Sequence, residues 1–168
     1  MKELHLFADG SVDTKSKVGY GAYLLVADTG LSLDQLNSQI KVQRFEQTSS
    51  TRLELQTLLW ALGEVEAAEC KLTVYSDSQN IISLPARRER LEANDFRSKQ
   101  NRQLNNYQLY QDFYRLTDQQ NCKFVKVCGH QASKQKSLID QFFTLVDRAS
   151  RKALREDKKL TAKTAKDK

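Results

Sequence analysis

The chain has 168 residues, a single proline and a formal net charge of +6, from 27 Lys+Arg against 21 Asp+Glu. At 39% hydrophobic and 29% charged residues, it is too apolar for a disordered chain and holds no run of the ~20 apolar residues that a spanning helix needs. A length near that of one domain predicts a single unit with a core that needs no staples. The three cysteines, Cys70, Cys122 and Cys128, are odd in number and widely spaced. That excludes a disulfide framework or a zinc cluster and favours a reducing compartment. The opening MKELHLFAD meets Asp9 too soon for a secretory signal. We expect a soluble, cytoplasmic protein with no membrane association and nothing that demands more than a monomer.

Residues 3–9 alternate in polarity and predict a strand ending at Asp9, with Gly10 and Ser11 opening a polar loop. Val18–Ala27 is the second strand, in which Gly19 and Gly21 mark a bulge or a close backbone approach. Asp28-Thr29-Gly30 is turn chemistry, the loop runs on to about Gln35, and a third strand lies near Ser38–Glu46. Three strands without an intervening helix predict an antiparallel meander. The period then changes. Ser49–Ala67 carries a helical stripe of Leu55, Leu58, Leu59, Leu62 and Val65, with Ser49 or Ser50 as N-cap. Lys71–Asp77 is a fourth strand, again ending in aspartate. A short helix over Ser78–Leu84 stops at Pro85, and residues 86–103 are arginine-rich with little apolar periodicity. Leu104–Leu116 is helical, Lys123–Cys128 is a fifth strand and Leu138–Arg155 is the last helix. The pattern predicts an α/β domain over residues 1–156, with a five-stranded mixed sheet flanked by helices. A basic, disordered tail is expected over 157–168.

Charge is divided along the chain. Residues 1–84 hold 7 Lys/Arg and 11 Asp/Glu, a net of −4, and the remainder carries +10. Clustered carboxylates suit cations, and basic surface suits a polyanion. A lysine-rich tail is also a common solubilising device.

Several carboxylates stand where apolar contacts are expected. Asp9 and Asp77 each close an apolar strand, at the strand ends where ligands collect in α/β sheets, although aspartate after a strand is also ordinary turn chemistry. Glu54 shares its helix face with Leu58, Ala61, Leu62 and Val65, so it points toward the core unless it reaches out from the first turn. Asp147 has Phe143, Val146, Ser150 and Leu154 as helical neighbours. Asp140, one heptad earlier, competes for the same role. Four carboxylates brought together repel, and divalent metal relieves that repulsion. Oxygen ligands without Cys/His spacing select Mg²⁺, with Mn²⁺ as the alternative. Two such ions about 4 Å apart catalyse in-line displacement at phosphodiesters.

The segments Phe7–Ser11 (FADGS), Ser50–Leu55 (STRLEL), Tyr75–Gln79 (YSDSQ), Val125–His130 (VKVCGH) and Val146–Ser150 (VDRAS) together resemble the bacterial type 1 ribonuclease H family. The resemblance spans residues 3 to about 155. It implies a five-stranded mixed sheet whose first three strands are antiparallel. It also implies hydrolysis of the RNA strand of RNA–DNA hybrids with two Mg²⁺ ions, leaving 5′-phosphate and 3′-hydroxyl ends. Asp9, Glu54, Asp77 and Asp147 would be the metal ligands. The small Ser150 one turn on favours Asp147 over Asp140, whose distance from His130 is nearer the family interval. His130 would assist proton transfer to or from the attacking water or the leaving 3′-oxygen. Gly10, Ser11, Ser50, Thr51, Arg52 and Gln79 fall on positions that meet the substrate near the metals, where hydroxyls and amides sense the 2′-hydroxyl. Ser50-Thr51 stand where the family often has asparagines. The segment Ala86–Arg102, with Arg87 and Arg88, lies where the family often carries a basic protrusion that grips the DNA strand. Its interspersed acids equally suit a solvated face. A same-fold nuclease or resolvase with another substrate, or a non-catalytic nucleic-acid-binding module, are the alternatives.

Overall fold

The computed structural model describes residues 2–27, 31–65, 70–128 and 137–166. Strands β1 (Lys2–Asp13), β2 (Val18–Val26), β3 (Lys41–Phe45), β4 (Cys70–Ser76) and β5 (Asn121–Lys126) form one sheet in the order β3-β2-β1-β4-β5. The first three are antiparallel neighbours, and β4 runs parallel to both β1 and β5. The expected mixed sheet is therefore the observed one. Around it lie α1 (Leu33–Asn37), α2 (Ser50–Glu64), α3 (Gln79–Ala93), α4 (Tyr107–Asp118) and α5 (Leu138–Lys166).

Alternation along β1 sends side chains to two separate cores. Leu4, Leu6 and Ala8 join Leu55, Leu58, Leu62 and Phe113 beneath α2 and α4. Phe7 faces the other way, stacked on Tyr75 at 4.7 Å and met edge-on by Phe142 of α5 at 5.6 Å. Phe142, Phe143 and Val146 complete this second core. No helix among the described residues is long and apolar enough to cross a membrane.

The structure corrects five expectations. First, β1 does not end at Asp9, and Gly10 and Ser11 belong to the strand. The pairing with β2 continues through Gly10↔Gly21 and Ser11↔Tyr20 to Asp13↔Val18. Second, the loop before β3 contains α1, one turn set by a Ser32/Gln35 capping box and anchored by the fully buried Leu36. Third, Pro85 lies inside α3. Its fixed φ is compatible with helix, and the lost N–H bond is outweighed by burial of Ile81, Leu84 and Leu91 on one face. The Tyr114 hydroxyl donates to the Leu84 carbonyl at 2.7 Å, holding α4 against this turn. Fourth, the basic segment after Pro85 continues that helix and then turns at Asp95 and Phe96, with φ of 50° and 55°. Phe96 is buried near Tyr114 and offers no surface to a ligand. Fifth, α5 does not stop at Arg155, and residues 157–166 are helical. Asp157 accepts from the Tyr20 hydroxyl at 3.0 Å and from Arg44 Nε at 2.9 Å, which fastens the extension to β2 and β3.

The N-cap of α2 is Ser49, whose side chain accepts from the Arg52 N–H at 3.3 Å. Ser49→Ala is expected to cost about 1 kcal/mol in urea unfolding, as lost caps usually do. An unchanged midpoint would show that the cap contributes nothing.

Candidate active site

The sheet register places the first two carboxylates. The last parallel pair between β1 and β4 is Phe7↔Tyr75. Asp9 and Asp77 each come two residues later, so they stand level, on the same face, where the two strands part. Glu54 approaches from α2. Its Oε2 accepts from Ser78 Oγ at 2.6 Å, and the same hydroxyl caps α3 by accepting from the Ile81 N–H at 3.3 Å. Asp9, Glu54 and Asp77 line one small cavity with Ser76 and Ile81.

Asp147 comes from α5, which packs on the face of the sheet opposite α2, and shares a hydrogen bond with Asp9. Arg151 Nε donates to its Oδ1 at 3.0 Å. Almost one turn on, Ser150 Oγ lies 3.0 Å from Ser11 Oγ, which pins α5 to β1 beside the site. Asp140 instead accepts from Ser137 Oγ at 2.9 Å and Ser137 N at 3.2 Å in the first turn of α5. The helix thus brings Asp147, and not Asp140, to Asp9.

Electrostatics mark the cluster. Burial, then the charge of Asp77, then the hydrogen bond with Asp147 push the Asp9 carboxyl up to about 8. Burial also raises Glu54, against the stabilising Ser78 hydroxyl and with the Asp77 charge. Repulsion of this kind calls for positive charge. Glu54 is turned to Ser78 and Asp147 to Arg151, and among the described residues no three acidic, His or Cys side chains close into a metal cage. The all-carboxylate donor set nevertheless fits a hard divalent cation such as Mg²⁺ or Mn²⁺.

The expected substrate residues divide. Ser50 and Thr51 are exposed on the first turn of α2, and Ser50 is free of capping duty because Ser49 is the cap. Arg52 Nη1 reaches Asn106 Oδ1 at 3.4 Å. Gln79 opens α3 and accepts from Lys126 Nζ at 2.8 Å. Gly10 lies beneath Leu53. Arg87 is turned inward onto Asn80 Oδ1 at 2.7 Å and the Tyr110 ring, and Arg88 is paired with Asp118 and Glu92 over the Tyr114 ring. These two guanidiniums pack between α3 and α4. His130 lies outside the described residues. Ser78 was missed. Its signal was the second serine of YSDSQ, which reads from sequence only as a helix start.

The family model described as RNase H matches residues 1–149. The chain is 25% identical over 148 residues to a protein named Ribonuclease H from Acetivibrio thermocellus, covering 86% of this chain and 94% of that one. It is 24% identical over 144 residues to a Ribonuclease H from Caldicellulosiruptor saccharolyticus, covering 84% and 93%. Among solved structures it is similar to the PFV RNase H domain, with TM-score 0.71, 14% identity and 89% and 92% of the two chains covered. It is likewise similar to LC9-RNase H1, a type 1 RNase H with the type 2 active-site motif, with TM-score 0.66, 14% identity and 91% and 72% covered.

Proposed function

The chain belongs to the ribonuclease H family, and from that premise we propose that it is an endonuclease that hydrolyses the RNA strand of RNA–DNA hybrids. The products would be 5′-phosphate and 3′-hydroxyl ends, and the reaction would depend on divalent metal. The observation that carries this reading is the convergence of four carboxylates from β1, α2, β4 and α5. Asp9 feels the charge of Asp77 and a hydrogen bond with Asp147, and Glu54 lines the same cavity while accepting from Ser78.

Asp9, Glu54, Asp77 and Asp147 would hold Mg²⁺ or Mn²⁺. The bound metal would supply a nucleophilic water at neutral pH and relief of phosphate charge. The chain's own groups do the rest. Ser78 Oγ fixes the rotamer of Glu54, and Arg151 Nε fixes that of Asp147. The Ser11–Ser150 contact keeps α5 at its distance from β1. Ser50, Thr51 and Arg52 would offer hydroxyls, a guanidinium and first-turn N–H groups to the substrate's phosphates and 2′-hydroxyls. His130 is proposed as the proton-transfer partner.

The test is cleavage of an end-labelled hybrid with Mg²⁺, with Mn²⁺ and with chelator, beside duplex RNA, duplex DNA and branched DNA. Cleavage confined to the RNA strand of the hybrid and abolished by chelator is the expected outcome. Cleavage of another substrate in preference would reassign the specificity. Binding without metal-dependent cleavage of any of them would overturn the enzyme reading.

A further inference from the structure

The net charge of the chain resides in one stretch of α5. Residues 148–166 hold eight Lys/Arg and two Asp/Glu, a net of +6, and the other residues together sum to zero. Two of those eight are occupied, Arg151 with Asp147 at 3.0 Å and Lys158 with Asp13 at 3.7 Å. Arg148, Lys152, Arg155, Lys159, Lys163 and Lys166 are exposed and make no ion pair among the described residues. Their spacings of four, three, four, four and three put all six on one helical face. Asp157 lies across the helix from that face, held by Tyr20 and Arg44, while Leu154 and Ala162 line a cleft against Val18. A merely solubilising tail has no need of this division into a docked underside and a basic crest.

We propose that this crest is a binding rail for the phosphate backbone of nucleic acid that extends beyond the cleavage site. It starts beside Asp147 and runs for about 27 Å, at 1.5 Å per residue, or about eight nucleotides of one strand of a duplex. Six unpaired cations over that length, with Glu156 the one acid at the edge of their face, complement a polyphosphate in sign. The matched family model ends at residue 149, so most of the rail lies outside it. The choice of occupant rests on the nucleic-acid reading given above.

The distal cations discriminate. Lys159, Lys163 and Lys166 begin about 18 Å from Asp147, beyond the reach of a 10-bp hybrid centred on the site. The triple variant Lys159→Gln, Lys163→Gln and Lys166→Gln keeps good helix formers at all three positions. Binding to 10-bp and 30-bp hybrids is measured in chelator over a range of salt, so the result does not depend on cleavage. The 30-bp hybrid should bind at least tenfold more weakly at 100 mM salt. The slope of log K against log salt should fall by about 2 to 3, near 0.9 for each lost phosphate contact. The 10-bp hybrid should be unaffected, and the matching Lys→Arg triple should bind like the parent. An unchanged slope and affinity for the 30-bp hybrid would overturn the rail, whatever the cleavage assay shows. So would equal loss for both lengths, because the charges would then act only through the overall field.

Discussion

Asp9→Asn is expected to lose hybrid cleavage by about three orders of magnitude or more and, in chelator at pH 8, to melt at a higher temperature than the parent. A carboxylate lost from a metal-binding cluster removes several kcal/mol of transition-state stabilisation, and each 1.36 kcal/mol is tenfold in rate. The stability gain follows from the same electrostatics. Burial first and the charge of Asp77 next push the Asp9 carboxyl up to about 8, from an ordinary aspartate value of 3.8. Between those pH values the native state keeps a proton that the unfolded chain has released. Metal-free stability contributed by this group therefore falls as pH rises through the window and is lowest above about pH 8. Asparagine is close in shape and carries no charge, so the variant should show a flatter dependence of Tm on pH between 5 and 8. Each kcal/mol recovered is worth about 2–4 °C in a chain of this size. Mg²⁺ should raise Tm of the parent at pH 8 more than that of the variant. Parental turnover in Asp9→Asn would remove the carboxylates from the mechanism, and a lower Tm with an unchanged pH slope would remove the repulsion argument.

The carboxylates were visible in the sequence because each breaks an apolar pattern. Asp9 follows the apolar alternation of β1 and Asp77 that of β4, while Glu54 and Asp147 sit on helix faces that are otherwise core. The mixed sheet was visible in the change of period at Ser49. What stayed hidden depended on partners distant in the chain. Asp157 is held by Tyr20 and Arg44, 137 and 113 positions away, so nothing local distinguished a docked helix from a loose lysine-rich tail. Arg88 is neutralised by Asp118, 30 positions on, and a basic segment read alone could not reveal that. Pro85 misled for the opposite reason. Its penalty of about 3 kcal/mol is a local quantity, and the burial that outweighs it is tertiary. The five residues of α1 are too few for a helical period to show at all.

Gly21→Ala is expected to cost about 1–3 kcal/mol of stability, in the range of core overpacking, and to slow hybrid cleavage by about tenfold. Helix α2 lies directly on the β1–β2 hairpin, with Leu53 over Gly10 and Gly19 and Thr57 over Gly21. A Cβ on Gly21 would come within 2.9 Å of both Thr57 Cβ and Cγ2. Thr57 is buried, and its hydroxyl donates to the Leu53 carbonyl at 2.7 Å, so it cannot swing aside. The helix must lift instead. Glu54 is one turn before Thr57 on the same side of α2, so lifting draws its carboxylate away from Ser78 and Asp77. Two comparisons separate this account from general intolerance. Thr57→Ala in the Gly21→Ala background removes both γ atoms, Oγ1 being the nearest of all, but leaves the close Cβ, so it should restore part of the cleavage, with a coupling of about 0.5–1 kcal/mol in a double-mutant cycle. Gly63→Ala, on the same helix with nothing within 4 Å of its added Cβ, should stabilise by up to about 1 kcal/mol through helix propensity alone. If Gly21→Ala leaves stability and cleavage unchanged, the seat of α2 on the hairpin does not position Glu54. If the double variant shows no rescue, the contact with Thr57 is not the cause. The glycines of VGYGAY and FADGS are then to be understood as part of the active site: they bear no chemistry, but they set the height at which its second carboxylate stands.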